Sequence, residues 1–306
     1  MNIINNVKIL VCGNAVEIDL TKDLGANIEI VYHKNEWDPV DKPEIFDIVV
    51  CNNLFKYNSI ELFSKVRFIQ LTCAGIDRVP LDYIMKKGIR VCNAKGIYSI
   101  PIAEYTIARI LEWYKKLQIT NKAVSQHQWE KQRNLLELSG KTITIYGYGD
   151  IGKAIATRLK SFDAKIIGVS RCYRKDDILD MWINPIEMDG ILKKTDIFII
   201  TAPLTQETKG FVNKALLDKL KKSSLIVNVS RGAIINIQDL IERLKKGKIS
   251  GAILDVFEDE PLSPDSDLWN IDNLIISPHN SFEGEGNIER LEKLIVSNII
   301  DELRII

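Results

Sequence analysis

One short turn constrains this chain more than any other feature: Gly147-Tyr148-Gly149-Asp150-Ile151-Gly152. A lone G-x-G-x-x-G is weak evidence, so its setting decides. Thr142-Ile-Thr-Ile-Tyr146 reads as a buried strand, Lys153-Ala-Ile-Ala-Thr-Arg-Leu-Lys160 as a helix starting at the last glycine, and Ala164-Lys-Ile-Ile-Gly-Val169 as a second strand. This is the strand–turn–helix–strand context that a dinucleotide-binding fingerprint requires. Gly147 permits the tight turn, Gly149 lets backbone approach a pyrophosphate, and Gly152 lets helix and strand pack closely. Asp150 and Ile151 stand at the helix N-terminus, whose N–H groups and positive dipole end favour phosphate. The competing reading, a strand–helix turn using glycine for geometry alone, is disfavoured because both flanking strands are present.

Strand-like and helix-like segments alternate along the whole chain. Val7–Cys12, Ile28–Tyr32, Asp47–Cys51, Arg67–Leu71 and Arg90–Cys92 are short β-rich runs separated by segments with room for helices, which predicts a parallel α/β sheet in the first 92 residues. A second series begins at Thr142 and continues through Ile197–Ile200, Leu225–Val229, Ala252–Val256 and Leu274–Ser277. At 306 residues two domains are expected. The fold class is therefore α/β, with two doubly wound parallel-sheet domains and a ligand-enclosing cleft between them. The linking helix is expected over Pro101–Lys116, with proline in its first turn. A closing helix over Asn287–Arg304 is expected to pack back on the first domain.

Composition excludes several function classes. Lys and Arg number 41, as do Asp and Glu, so charge offers no case for nucleic acid or an anionic membrane. No apolar run reaches ~18 residues, and the first residues lack the basic and apolar regions of a secretion signal. The five cysteines, Cys12, Cys51, Cys73, Cys92 and Cys172, are odd in number, scattered and never in C-x-x-C spacing. They read as small apolar fillers in a reduced compartment, and the cytosol is the expected location. No H-x-x-x-H pair or carboxylate cluster has ligand spacing, so no metal is expected.

Three separated polar residues stand out downstream of the glycines. His279 follows a strand-end proline in Ser277-Pro-His279, at the carboxyl end of a strand, where ligands of open α/β sheets sit. Imidazole suits proton donation near neutral pH. His33 and His127 read as ordinary surface residues. Glu260 lies in Glu258-Asp-Glu260, a run that reads equally as a solvated loop; a carboxylate from it bonded to the His279 ring would fix the tautomer and favour imidazolium. Residue chemistry does not choose between Glu258 and Glu260. Arg231, after Ser230, reads either as an exposed charge or as a guanidinium holding a carboxylate with paired N–H donors, which a lysine does not copy. A dinucleotide turn upstream of an Arg, a carboxylate and a His suits hydride transfer involving a 2-keto or 2-hydroxy acid.

These residues match a known pattern. Cys73-Ala-Gly-Ile-Asp77, Val91-Cys-Asn-Ala-Lys-Gly96 with Ala103-Glu104, the glycine turn, Ala202-Pro-Leu-Thr-Gln-Glu-Thr208, Asn228-Val-Ser-Arg-Gly232, Leu254-Asp-Val256 with Glu260-Pro261, and Ser277-Pro-His279 span almost the whole chain. Together they resemble the D-isomer-specific 2-hydroxyacid dehydrogenases, the group holding glyoxylate/hydroxypyruvate reductases and D-lactate and 3-phosphoglycerate dehydrogenases. The resemblance implies a flavodoxin-like substrate domain over 1–98 completed by 282–306, and a Rossmann cofactor domain over 99–281. It assigns catalysis to Arg231, Glu260 and His279, selecting Glu260 over Glu258, and substrate-carboxylate binding to the backbone of Cys73, Ala74 and Gly75. It places Ala202, Pro203, Thr208, Val229, Ser230 and Asp255 around the cofactor, Asp255 near the nicotinamide carboxamide, although Asp255 reads also as a strand-end cap. It also implies a homodimer acting on a small 2-keto or 2-hydroxy acid. Asn280-Ser-Phe282 departs from the usual Ile and small residues after the His, which bears on substrate size.

The second Rossmann strand ends Gly168-Val169-Ser170-Arg171, with Arg174 and Lys175 beyond, and lacks the carboxylate that usually holds an NAD ribose. Ser170 and Arg171 are expected to accept a 2′-phosphate, so NADP(H) is expected to be preferred, with NAD(H) possible. Two other readings stay open. A phosphoglycerate-type dehydrogenase is expected to show further basic residues in the substrate domain and often a regulatory tail, and no such tail is expected beyond Ile306. A co-repressor of this fold would bind NAD(H) as a sensor, and is expected to carry disordered tails.

Overall fold

The computed structural model describes residues 6–24, 27–173 and 175–305. The chain divides into two compact units, one of Met1–Tyr98 with Gly284–Ile306 and one of Ser99–Glu283.

The first unit holds five parallel strands: β1 (Val7–Cys12), β2 (Ile28–His33), β3 (Ile48–Cys51), β4 (Phe68–Leu71) and β5 (Arg90–Cys92), in the order β2-β1-β3-β4-β5. This is the flavodoxin-like order, in which the chain reverses direction of winding after β2. β3 and β4 are buried at every position, as strands covered on both faces must be. One face buries Ile9, Val11, Ile48, Val50 and Phe68 against Leu291, Ile295 and Ile299 of the helix Asn287–Ile305. Those three residues recur at every fourth position and form the apolar stripe by which the helix completes this unit. Asn298 also donates to the Gln70 side chain at 2.7 Å, and Arg90 pairs with the buried Glu302 at 3.0 Å.

The helical segments here are shorter than the room the sequence leaves for them. Among the described residues, β1 and β2 are joined through the 3₁₀ turns Gly13–Glu17 and Leu20–Lys22 only, and β2 and β3 through Pro43–Ile45. The Asp19 side chain accepts from Thr21 N, and two prolines, Pro39 and Pro43, interrupt the second connection. Local side-chain bonds and missing N–H groups compete with helix propagation.

The second unit holds seven parallel strands: β6 (Thr142–Tyr146), β7 (Lys165–Val169), β8 (Met181–Ile183), β9 (Ile197–Ile200), β10 (Leu225–Asn228), β11 (Gly251–Leu254) and β12 (Leu274–Ile276). Their order, β12-β11-β10-β9-β6-β7-β8, reverses between β6 and β9. β8 is a three-residue edge strand that the sequence pattern does not announce. The helix Asp150–Lys160 starts three residues earlier than the sequence suggests, at the middle of the glycine turn. The helix Ser99–Tyr114, with Pro101 in its first turn, opens this unit and packs on Asp150–Lys160.

Candidate active site

Gly147 leaves β6 at φ +101°, and a Cβ there would lie 2.2 Å from Ala202 N. Only glycine lets the exits of β6 and β9 approach this closely at the switch point. The N–H groups of Gly147 and Tyr148 both donate to Val169 O at 2.9 Å, and Gly149 caps the helix that follows. The first intrahelical bond there is Lys153 N to Gly149 O, so the amides of Asp150, Ile151 and Gly152 face outward at the helix start. A Cβ on Gly149 would meet only Gly147 O, at 3.9 Å. The space over this turn is open, and the turn fits a dinucleotide pyrophosphate.

The neighbouring exits are tied to it by hydroxyl groups. Ser230 Oγ donates to Ala202 O in a short bond, joining the end of β10 to the end of β9. Thr208 Oγ donates to Pro203 O and accepts from Thr205 N, both at 2.7 Å, which closes the 203–208 turn. Val229 is buried, and its N–H reaches Ile200 O at 3.4 Å.

After β7 the arrangement differs from the expectation. Ser170 Oγ donates to Cys172 O at 2.9 Å and accepts from Trp182 Nε1 at 2.8 Å. Its single hydroxyl proton is therefore committed within its own loop. Arg171 is exposed. The Thr205 hydroxyl, with a smaller contribution from Arg171, holds the Glu207 carboxyl below its ordinary range. Arg174 lies outside the described residues.

Arg231, Glu260 and His279 all belong to the second unit. Arg231 follows β10. Its carbonyl accepts from Asn228 Nδ2 at 2.9 Å, its Nη1 donates to Ser230 O at 2.8 Å, and Ser230 N donates to Asn228 Oδ1 at 3.1 Å. The buried Asn228 amide thus shapes the turn that presents the guanidinium. Gly232 next to it has no room for a side chain, since a Cβ would lie 2.0 Å from the Phe257 carbonyl carbon. This close approach sets the Arg231 turn against the loop that carries Glu260.

Glu260 is held at both oxygens. Oε1 accepts from Phe257 N at 3.0 Å, and Oε2 lies 2.7 Å from His279 Nδ1. The Glu260 side chain is 35% exposed and that of His279 27%, so the pair is shielded but reachable. A carboxylate at Nδ1 makes that nitrogen the donor and leaves Nε2 as the outward atom. The Phe282 ring meets the imidazole edge to face, with centroids 5.6 Å apart.

His279 adopts φ +50°, a left-handed conformation costly for a residue with a Cβ. Asp255 explains how it is held. Its backbone carbonyl accepts from His279 N at 2.8 Å. Its fully buried carboxylate accepts from Ser277 Oγ at 2.7 Å and from Asn280 N and Ser281 N, each at 2.9 Å. The loop is bracketed on both sides of His279 by one residue. The family resemblance implies a place for Asp255 near the nicotinamide carboxamide; its carboxylate here also caps the strand exits, the other role its position suggests. The only sequence signal of that role is a carboxylate ending an otherwise apolar strand.

Cys73, Ala74 and Gly75 lie in the first unit, just beyond β4. Cys73 Sγ donates to Gly75 O at 3.3 Å, and Asn93 Nδ2 donates to Ala74 O at 2.5 Å. Among the described residues, no group of three or more His, Cys, Asp or Glu side chains is placed to hold a metal. No helix among them is long and apolar enough to cross a membrane.

Comparison with known proteins places this geometry in a class. Residues 107–281 match the model of the NAD-binding domain of D-isomer specific 2-hydroxyacid dehydrogenases. The chain is 31% identical over 290 residues to a glyoxylate reductase of Thermofilum pendens, covering 90% of this chain and 85% of that one. It is 30% identical over 304 residues to a D-3-phosphoglycerate dehydrogenase of Methanocaldococcus jannaschii, covering 97% of this chain and 58% of the relative. A crystal structure of a D-isomer specific 2-hydroxyacid dehydrogenase family protein from Aeromonas salmonicida superposes with a TM-score of 0.84 at 27% identity, over 98% of this chain and 96% of that one. The chain belongs to the D-isomer specific 2-hydroxyacid dehydrogenase family. It is an NAD(P)-dependent oxidoreductase of 2-hydroxy and 2-keto acids, with a nicotinamide cofactor.

Proposed function

We propose that this enzyme reduces a small 2-keto acid of the glyoxylate or hydroxypyruvate type to the D-2-hydroxy acid. The observation that carries the proposal is the 2.7 Å pair of His279 Nδ1 and Glu260 Oε2, which leaves Nε2 as a positioned proton donor. When bound, the nicotinamide supplies a hydride to the keto carbon. His279 delivers a proton from Nε2 to the keto oxygen, and Glu260 stabilises the imidazolium before that transfer. Arg231 orients the acid through paired N–H donors and stabilises negative charge developing on the oxygen. Gly147, Gly149 and the outward amides of Asp150, Ile151 and Gly152 hold the pyrophosphate, with Ala202, Pro203, Thr208, Val229 and Ser230 shaping the adjoining wall. Cys73, Ala74 and Gly75 bind the substrate carboxylate through backbone N–H groups. The domain roles follow, with cofactor on 99–281 and substrate on 1–98 with 282–306. The Thermofilum relative supports glyoxylate; the Methanocaldococcus relative supports 3-phosphoglycerate chemistry as the second reading.

NADP(H) is the proposed preferred cofactor. Support rests on Arg171 and on the lack of a carboxylate ending β7, because the Ser170 hydroxyl is occupied. A homodimer is supported by the apolar surface of the helix Leu117–Ser125 and its continuation, where Ile119 is 53% and Trp129 94% exposed. The cytosol is supported by cysteine usage, since no disulfide joins the described cysteines. Steady-state oxidation of NADPH and NADH with glyoxylate, hydroxypyruvate, pyruvate, phosphohydroxypyruvate and bulkier 2-keto acids tests the substrate and the cofactor together. Arg171→Ala is expected to weaken NADPH roughly 10- to 100-fold and leave NADH nearly unchanged. Equal loss for both, or a wild type preferring NADH, overturns the cofactor assignment.

A further inference from the structure

Three successive carbonyls at the exit of β4 all accept from a single segment of chain. The Tyr98 hydroxyl donates to Thr72 O in a short bond, Ala94 N donates to Cys73 O at 2.9 Å, and Asn93 Nδ2 donates to Ala74 O at 2.5 Å. From the other side Thr72 N donates to Cys51 O at 2.9 Å, which ties the same exit to β3. Loops that leave a sheet usually relax beyond the last ladder bond. This one is splinted for three further residues by the stretch 93–98.

The Asn93 bond has a stereochemical consequence. A trans peptide points its C=O and the following N–H in opposite directions within one plane. Holding Ala74 O toward Asn93 therefore turns the Gly75 N–H away from Asn93, out of the splint. Asn93 is half-buried, and its side chain is the part of the splint that sets this one peptide, since Ala94 and Tyr98 engage the two carbonyls before it. An aspartate of the same shape would set an acceptor against the Ala74 carbonyl and favour the flipped peptide, with the Gly75 N–H turned inward.

We infer that Asn93 is a positioning residue for substrate, fixing the Ala74–Gly75 peptide so that the Gly75 N–H is presented to the carboxylate of the 2-keto acid. The inference rests on the reading that Cys73–Gly75 binds that carboxylate. Pre-organisation of this kind acts on binding in the ground state and the transition state alike, so its loss raises KM and leaves kcat little changed.

The test compares Asn93→Ala, Asn93→Asp and Asn93→Ser with Gly75→Pro, which removes the N–H itself. Each variant is assayed for KM and kcat with glyoxylate and for NADPH and NADH affinity by nucleotide fluorescence, and thermal unfolding checks the fold. Asn93→Ala and Asn93→Asp are expected to raise KM about tenfold, with kcat within about threefold and cofactor affinity within about twofold. Asn93→Ser, which retains a donor, is expected to recover part of the loss. Gly75→Pro is expected to raise KM at least as far. If Gly75→Pro raises KM while folded Asn93 variants match wild type, the positioning role is overturned and the carboxylate reading stands. If Gly75→Pro is folded and leaves KM unchanged, the carboxylate reading fails and the inference with it. Should Gly75→Pro not fold, losses in kcat and cofactor affinity parallel to the rise in KM across the Asn93 series would show general loop damage and overturn the inference.

Discussion

In each unit a buried carboxylate grips the loop that leaves a strand, and the two cases differ in what the loop carries. Glu36, 7% exposed, accepts from Asn52 N at 2.5 Å and Asn53 N at 2.7 Å, beyond β3. Asp255, fully buried, accepts from Asn280 N and Ser281 N, beyond β12. Both satisfy a charge that would otherwise be costly to bury, using consecutive backbone N–H groups. Around Glu36 the gripped loop presents Asn52 and Asn53, whose side-chain oxygens accept from Arg78 Nη1 at 2.8 and 3.2 Å. Around Asp255 it presents a titratable ring held at φ +50° against Glu260. The same device therefore braces a strand exit in one unit and holds the proposed proton donor in the other.

The largest expected effect comes from removing the aimed group. His279→Ala should lower kcat by ~10²–10⁴-fold while raising KM far less, because general acid catalysis contributes on that scale. Rapid-mixing and steady-state measurements of keto-acid reduction check it, and near-normal turnover in a folded variant would remove His279 from the mechanism.

Removing the grip is expected to cost less than removing the ring. Asp255→Asn keeps the shape but sets an NH₂ group against one of its donors, which frees the loop around a strained residue. Displacement of a reacting group by ~1 Å costs on the order of 10²-fold. A fall in kcat of about 10- to 100-fold is expected, and a variant with unchanged kcat would show that the left-handed His279 needs no bracket.

Much of this is readable in the residues, and the reasons for the rest are physical. The 147–152 turn is legible because tight geometry and phosphate approach both demand glycine at fixed spacing. β3 and β9 are legible because strands covered on both faces are continuously apolar, and β10 because it is apolar up to Asn228. β8 is not, since Met181-Trp-Ile183 is three residues long on an edge. The room for helices between β1, β2 and β3 holds only 3₁₀ turns among the described residues, because Asp19 and the prolines give the backbone other partners or none. Residue chemistry alone does not separate Glu260 from Glu258; the family resemblance selects Glu260, and the fold brings that carboxylate to His279 Nδ1. Asp255's grip depends on β11 and β12 being neighbours, a pairing between residues more than twenty apart in sequence that no local pattern reports.

Glu260→Gln asks how the donor is tuned rather than where it sits. The carboxylate at Nδ1 fixes the tautomer that leaves Nε2 outward, and an amide in its place no longer sets an anion against the ring. The kcat of keto-acid reduction should therefore fall several-fold, less than for Asp255→Asn, with cofactor affinity unchanged. An unchanged kcat in a folded variant would remove Glu260 as the partner and direct the same test to Glu258.

The smallest effect on turnover is expected at Glu36, and it separates bracing from aiming. Glu36→Gln leaves one of the Asn52 and Asn53 N–H groups facing an amide NH₂ in a buried site, and such unsatisfied groups cost ~1–3 kcal/mol. Gly13 packs closely against this side chain: a Cβ added there would lie only 3.2 Å from the Glu36 carboxyl carbon, so the substituted amide has little room to turn aside. Thermal unfolding should therefore begin several degrees lower, at ~2–4 °C per kcal/mol for a body of this size. The gripped loop carries Asn52 and Asn53 and no proton-transfer group, so kcat should match wild type at temperatures where the variant is folded. A lowered kcat with an intact melting curve would mean that the β3 exit contributes directly to turnover, and that the two buried carboxylates are closer in role than their loops suggest.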